Sequence, residues 1–302
     1  MNIILKLLRM ILDVTVFFVF LFGLLFLTAK LTVPARPFNF LINSTGAFIK
    51  KNIKKDTFEY PGEPSTFQKI YANTKLLLKD ASHQPKNGTI YSENILGLNI
   101  SFTDYVMLFC LVNEIFIHKI YAFESQNKEP FIIDAGSNIG ISILFFKKMY
   151  PDAKIIGFEP SKTNFELLGK NIKNNNITQV QVFKKALAYK ENGEIKLYNP
   201  GSTSGTVCQS QNGKTENYEI VPITRLSNYI NQDVDLLKID IEGAEYDVFQ
   251  DLFDQDKLKF INKIIMEYHA PLSKLAQLFD IFNKAGFSFE IKDSLIYAYK
   301  KE

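Results

Sequence analysis

FIIDAGSNIGISILFFKKMYPDAKIIGFEP, residues Phe131–Pro160, is the stretch whose reading decides the fold. It opens with an apolar run, Phe131–Ile133, of the kind a strand buried on both faces requires, and Asp134 ends that run. Asp134-Ala135-Gly136-Ser137-Asn138-Ile139-Gly140 follows, two glycines flanking polar residues. Ile141–Met149 then reads as a helix stopped by Pro151, and Lys154–Phe158 as a second buried strand ending in Glu159. The pattern predicts a βαβ unit with an acid at the tip of each strand and glycines in the first strand-to-helix turn.

Such a turn suits a nucleoside ligand. Glycine lets the backbone approach a cofactor closely. A carboxylate ending the second strand accepts hydrogen bonds from both ribose hydroxyls, and Glu159 stands 23 residues past Gly136. The spacing is D-x-G-x-x-x-G rather than G-x-G-x-x-G. Three glycines make room for a pyrophosphate at the helix N-terminus. S-adenosylmethionine has no phosphate and fits the pattern seen here, with Asp134 near its methionine ammonium. The expected cofactor contacts are Asp134, Gly136, Ser137, Asn138, Gly140, Glu159 and Pro160, with Asp240 from a later strand tip. Ala186, just past a third strand at Val180–Phe183, is expected beside the adenine. A nicotinamide-dependent oxidoreductase shares the βαβ unit and is one alternative, against which the missing third glycine speaks; a non-catalytic cofactor-binding membrane protein is the other, against which the intact set of Asp134, Gly136, Gly140 and Glu159 speaks.

Around this unit, 302 residues suffice for one or two domains with a sizeable core. At 46% hydrophobic and 22% charged the composition is globular. A net charge of +3 makes no electrostatic case for nucleic acid. Cys110 and Cys208 form no disulfide framework. No Cys-x-x-Cys pair occurs and His83, His118 and His269 are scattered, so nothing suggests zinc; Asp240, Glu242 and Glu267 could assist through a metal, but carboxylates at strand tips more often bind hydroxyls, and no metal is assigned.

The N-terminal part is different. Val14–Ala29 carries no charge. Counted from Met10, with Asp13 as its interruption, the run reaches about 20 residues, or roughly 30 Å of helix, enough to cross a bilayer. It predicts a transmembrane anchor over residues 1–30, then a connector with a helical lead-in over 31–129, then the main domain over 130–302. A signal peptide is the rival, but no small-x-small cleavage site follows the apolar core. Positive charge is denser after the run (Lys30, Arg36, Lys50, Lys51, Lys54, Lys55) than before it (Lys6, Arg9). That bias puts the main domain on the cytoplasmic side of a single-pass membrane protein.

VDLLKIDIEGAEYDVF, Val234–Phe249, is the second informative stretch. Leu236–Ile239 reads as a buried strand with Asp240 at its carboxyl end, the edge where open α/β sheets place ligands. Lys238, Asp240 and Glu242 alternate, and they share a face while the chain stays extended. Lys263–Met266 reads as a fifth strand leading to Glu267-Tyr268-His269, with Glu267 and His269 on one face. For transfer to a hydroxyl, His269 suits a general base, with an ordinary pKa of about 6.5. Asp240 or Glu242 is the other choice, with burial raising its pKa and Lys238 tuning it. Glu194–Tyr198 and Tyr218–Ile223 read as a strand pair around a polar loop at 199–217. Leu272–Lys284 reads as a helix, and Phe287–Ile291 with Ile296–Tyr299 as a closing antiparallel hairpin.

Together IIDAGSNIGIS, GFEPSKTNFELL, LLKIDIEGAEYDVF and IIMEYH resemble the FkbM family of methyltransferases, over about residues 113–300. The KIDIEGAE block is the specific part, since D-x-G-x-x-x-G alone marks any class I methyltransferase. The resemblance implies an α/β, Rossmann-like class I methyltransferase fold. Its mostly parallel seven-stranded sheet would carry a C-terminal antiparallel hairpin, and the enzyme would use S-adenosylmethionine, usually to O-methylate sugars or natural products. One departure is visible: where the family tends to have Leu-Asp before the fourth strand, this chain reads Leu226-Ser227. With an anchor, the expected acceptor is a glycan or small molecule held at the membrane, such as a lipid-linked glycan.

Overall fold

The computed structural model describes residues 60, 63–82, 88–198, 218–292 and 294–301. The expected anchor at Val14–Ala29, the lysines at 50–55 and the loop at 199–217 lie outside them. Among the described residues no helix is long and apolar enough to cross a membrane.

The chain forms two compact units. The smaller comprises Met1–Thr89, Ile95–Gly97 and Thr103–His118. It holds α1 (Thr66–Ser82) and α2 (Tyr105–Val112), and α2 runs on into a π-helical turn at Asn113–Ile117. Asp104 starts α2 by accepting from Met107 N at 2.7 Å, an N-cap of the usual kind.

The larger unit takes in Ile90–Asn94, Leu98–Phe102 and Lys119–Glu302, so it begins earlier than the expected boundary at residue 130. Its first two segments, Ile90–Asn94 and Leu98–Phe102, belong to the paired strands β1 (Tyr91–Ile95) and β2 (Leu98–Phe102) of a hairpin. Leu96 and Gly97 close it at φ +54° and +78°. A two-residue turn of this sort is usually signalled by Asn-Gly or Asp-Gly, and leucine at the first position hides it in the sequence. Asn171 fastens β2 in place. Its Oδ1 accepts from Ser101 N at 2.6 Å, while Nδ2 donates to Ser101 O at 3.0 Å and to Ile139 O at 2.8 Å.

The remaining strands are β3 (Phe131–Ala135), β4 (Lys154–Phe158), β5 (Val180–Phe183), β6 (Ala186–Leu187), β7 (Glu194–Tyr198), β8 (Tyr218–Thr224), β9 (Leu236–Ile239), β10 (Lys263–Glu267), β11 (Phe287–Lys292) and β12 (Leu295–Lys300). Seven of them make one sheet in the order β11-β12-β10-β9-β3-β4-β5. β5, β4, β3, β9 and β10 are parallel, and the β11–β12 hairpin joins β10 antiparallel. β6, β8 and β7 form a separate small sheet. All residues of β3 and β9 are buried, which is why both read as continuous apolar runs rather than alternating ones. Burying each isoleucine or leucine here contributes about 1.5–3 kcal/mol.

Four further helices complete the unit: α3 (Ile141–Met149), α4 (Lys162–Asn174), α5 (Glu245–Asp254) and α6 (Leu275–Lys284). The expected helix from Leu272 opens as a 3-10 turn, Leu272–Lys274, before α6. The chain steps outward from β3 through β4 to β5, then returns to lay β9 on the other side of β3. Strand order therefore reverses between β3 and β9. The crevice beyond the carboxyl ends at such a reversal is where open α/β sheets bind ligands.

Candidate active site

β3 hands over to Gly136, whose φ of +83° turns the chain. A Cβ on Gly136 would stand 1.7 Å from the Asp240 carbonyl oxygen, so the tips of β3 and β9 meet backbone to backbone. Gly136 N and Ser137 N both donate to Phe158 O, at 3.0 and 2.8 Å, and Asp240 N donates to Ala135 O at 3.0 Å. These bonds tie three strand tips into one floor. Lys238 locks it from below, donating to Gly136 O at 2.6 Å and standing 3.3 Å from Asp134 Oδ1 and 3.9 Å from Asp240 Oδ2. Burial works against its charge, but Asp134 and Asp240 outweigh burial and hold the ammonium above the ordinary lysine pKa.

Over this floor lies a cleft lined by Gly136, Asn138, Phe158, Glu159, Pro160, Asn164, Lys185, Ala186, Leu187, Leu197, Asp240, Ile241 and Glu242. Glu159 is 6% exposed. Its Oε2 accepts from Asn138 N and its Oε1 from Ser161 N, both at 2.9 Å. Each oxygen keeps a further lone pair for a ligand hydroxyl. Burial lifts this carboxyl to about 7 against the pull of both amides and of Lys238. Phe158, which lines the cleft, stacks on Phe183 at 5.5 Å, and Tyr229 meets both rings edge-on at 4.9 Å, so an aromatic cluster backs that apolar wall. A side-chain-free turn, an acid at the next strand tip and an apolar wall fit an adenosyl group.

Several expected contacts sit elsewhere. Asp134 is wholly buried beneath the turn, its Oδ2 accepting from Ser142 Oγ at 2.6 Å while Oδ1 faces Lys238. It braces the floor instead of meeting a methionine ammonium. Ser137 also turns inward, its Oγ donating to Asp134 O at 2.9 Å in the space that Gly157 leaves. Gly140 starts α3 at φ +91°, and a Cβ there would lie 2.6 Å from Leu168 Cδ1, so its smallness serves helix packing. Lys238, expected among the reacting groups, is enclosed in the floor. The shared face of Lys238, Asp240 and Glu242 also breaks. The strand ends at Ile239, and Glu242 takes φ +56°.

Glu242 nevertheless joins a rim with Asp240, Glu267 and His269. Parallel pairing of Met266 with Ile239 brings the tips of β9 and β10 level. His269 Nε2 is 3.4 Å from Asp240 Oδ1 and 3.6 Å from Glu267 Oε1, and Nδ1 is 3.9 Å from Glu242 Oε2. The hydrogen bond to Asp240 leads, and with the charges of Glu242 and Glu267 it outweighs burial and lifts the imidazole to about 9. His269 is thus a cation at neutral pH and not the free base its ordinary pKa suggests. Burial pushes the Asp240 carboxyl up, but Lys238 and His269 prevail and hold it below the usual range, so it is no raised-pKa base either. Glu267 is the acid that moves up, through burial and the charge of Asp240. The Tyr121 hydroxyl reaches Asp240 Oδ2 at 3.4 Å.

The sequence shows no metal-ligand spacing, yet among the described residues the fold gathers one. A nitrogen of His269 and one oxygen each from Asp240 and Glu242 lie within 4.8 Å of one another.

Lys185 and Leu187 line the cleft on either side of the expected Ala186, past the tip of β5; Asn164 and Leu197 line it too, with no signal in the sequence to mark them, Leu197 coming from the small sheet. Ser227, the departure from the family pattern, is held within the core. Asp251 of α5 accepts from Ser227 N at 3.1 Å and from Ser227 Oγ at 2.9 Å, inside the core.

The methyltransferase FkbM domain matches residues 134–289 of the chain. "Methyltransferase 1" of Beauveria bassiana is 29% identical over 201 residues, covering 59% of this chain and 80% of the relative. "Methyltransferase sdnD" of Sordaria araneosa is 27% identical over 210 residues, covering 59% and 81%. A solved structure of a methyltransferase FkbM from Methylobacillus flagellatus KT aligns with a TM-score of 0.42 at 12% identity, over 77% of this chain and 59% of that one.

Proposed function

The chain belongs to the FkbM methyltransferase family and uses S-adenosylmethionine, and on that premise we propose that it O-methylates a hydroxyl of a sugar, glycan or related natural product at a membrane. The observation that carries the reading is the rim beside the cleft. Asp240, Glu242, Glu267 and His269 offer acceptors and a charged donor at two adjacent strand tips, a surrounding suited to a hydroxyl-rich acceptor.

Bound in the cleft, S-adenosylmethionine supplies a methyl carbon that is already electrophilic. The protein's part is to hold an acceptor oxygen in line with it and to receive a proton. Positioning contributes roughly 7–11 kcal/mol in favourable cases. Asp240, kept ionised by Lys238 and His269, accepts a hydrogen bond from the acceptor, and Glu267 takes the proton. His269 holds these carboxylates in register. His269→Ala is expected to lower turnover by about 10²-fold or more with S-adenosylmethionine affinity unchanged. Asp240→Asn is expected to lower both. Unchanged turnover in both variants, by transfer of labelled methyl, contradicts these roles.

Glu159 contributes a pH dependence. Ribose hydroxyls donate to a carboxylate better than to a carboxylic acid. The free protein must lose a proton near pH 7 to present that carboxylate, so affinity for S-adenosylmethionine rises with pH. Between pH 6 and 8 the gain is about tenfold. Calorimetric titration of the wild type against Glu159→Gln checks this, the variant giving a flat profile.

The membrane part of the proposal is supported by the uncharged run Val14–Ala29 and the lysines and arginine that follow it. A cytoplasmic catalytic domain and a lipid-linked or envelope glycan as acceptor accord with that placement. The deciding experiment incubates detergent-solubilised protein with methyl-labelled S-adenosylmethionine and an envelope extract, then identifies the product. Label on a sugar hydroxyl supports the reading, and label on nitrogen or carbon overturns it.

A further inference from the structure

We infer that Asp240, Glu242 and His269 form a binding site for a divalent first-row cation at the edge of the cleft, with Glu267 as a further donor. The site shares its rim with the proposed acceptor reaction, but it stands on cation binding and not on which acceptor is methylated.

The geometry points there first. Three donor atoms from three side chains lie within 4.8 Å of one another. Around one cation with bonds of roughly 2.1 Å, neighbouring donors stand about 3.0–3.4 Å apart and opposite ones about 4.2 Å. From the single nitrogen Nε2 of His269, Asp240 Oδ1 at 3.4 Å and Glu267 Oε1 at 3.6 Å stand close to that spacing. As charge-assisted hydrogen bonds these contacts are long, since such bonds run to about 2.7–2.9 Å. Small side-chain rotations bring the donors around a shared ion.

Charge points the same way. Among the described residues, three carboxylates converge on one imidazole. Lys238 is 2% exposed, donates to Gly136 O, and stands 3.3 Å from Asp134 Oδ1 and 3.9 Å from Asp240 Oδ2 in the floor. The donor chemistry narrows the ion. Two or three carboxylate oxygens with one imidazole nitrogen suit Mn²⁺, Fe²⁺ or Zn²⁺ better than Ca²⁺. Asp240 and Glu242 both line the cleft, so coordination positions left open by the protein face the acceptor side. An ion there holds an acceptor oxygen against the strand tips and polarises its O–H bond.

The test uses the full chain in detergent, stripped with EDTA and titrated with Mn²⁺ followed by electron paramagnetic resonance and calorimetry. One saturable equivalent is expected. His269→Ala and Glu242→Gln should each weaken it by tenfold or more, with the cooperative melting transition of a folded protein retained. Absence of saturable Mn²⁺ or Zn²⁺ binding by the folded wild type overturns the inference, and so does binding that neither substitution weakens. Intact cation binding without any O-methyl product overturns the acceptor reading and leaves the cation site standing.

Discussion

Replacing Lys238 by methionine is expected to cost about 3–5 kcal/mol of folding stability, the usual penalty for breaking a buried ion pair by removing one partner. The ammonium is the counter-charge of Asp134, a residue with no solvent contact, and it also satisfies Gly136 O. Methionine fills the volume but leaves a carboxylate in the floor of the cleft with Ser142 Oγ as its remaining donor in that contact. For the larger unit the loss corresponds to roughly 6–20 °C in Tm. Adding Asp134→Asn should recover much of it, because the uncompensated charge goes while the bond from Ser142 stays. Urea and thermal unfolding of the single and double variants check this. A single variant melting within about 2 °C of the wild type, or a double variant no better than the single, contradicts the ion pair's role.

Gly136→Ala should abolish cofactor binding while leaving the rest of the sheet formed. The new Cβ meets the Asp240 carbonyl oxygen at 1.7 Å, and that atom belongs to the neighbouring strand tip and cannot rotate away. The left-handed φ of +83° adds about 1–3 kcal/mol of strain for a residue with a side chain. Relief requires the tips of β3 and β9 to part, which moves Asp240 and opens the floor. A fall in S-adenosylmethionine affinity beyond about 100-fold is the expected calorimetric result, given that more than about 2.7 kcal/mol is lost. Gly169 is the control. It sits in α4, where a Cβ would have nothing within 4 Å, so Gly169→Ala should add up to about 1 kcal/mol of stability and leave binding unchanged.

The two glycines also show how far the sequence carries. Phe131–Ile133 and Leu236–Ile239 read correctly as strands because burial on both faces leaves no alternation to misread. Asp134 and Glu159 look alike in the sequence, each an acid at a strand tip, yet one braces the floor and the other opens on the cleft. The difference lies in Lys238, 104 residues further along than Asp134, whose partner is set by the register of β3 against β9. Local pattern cannot supply a register between distant strands. His269 illustrates the same limit for chemistry. Its residue type suggests a base, but three carboxylates brought in by two strand tips and a left-handed turn make it a cation. The β1–β2 hairpin is hidden for a smaller reason, a leucine where a turn usually shows asparagine or aspartate.

The most direct measurement is a crystal structure of the full chain with S-adenosylhomocysteine. The ribose hydroxyls should lie within hydrogen-bond distance of the Glu159 carboxylate, the adenine against Phe158 and Ala186, and the sulfur toward Asp240 and His269. A ligand bound with Glu159 facing no hydroxyl, or with its sulfur turned away from the β9 and β10 tips, would contradict the site described.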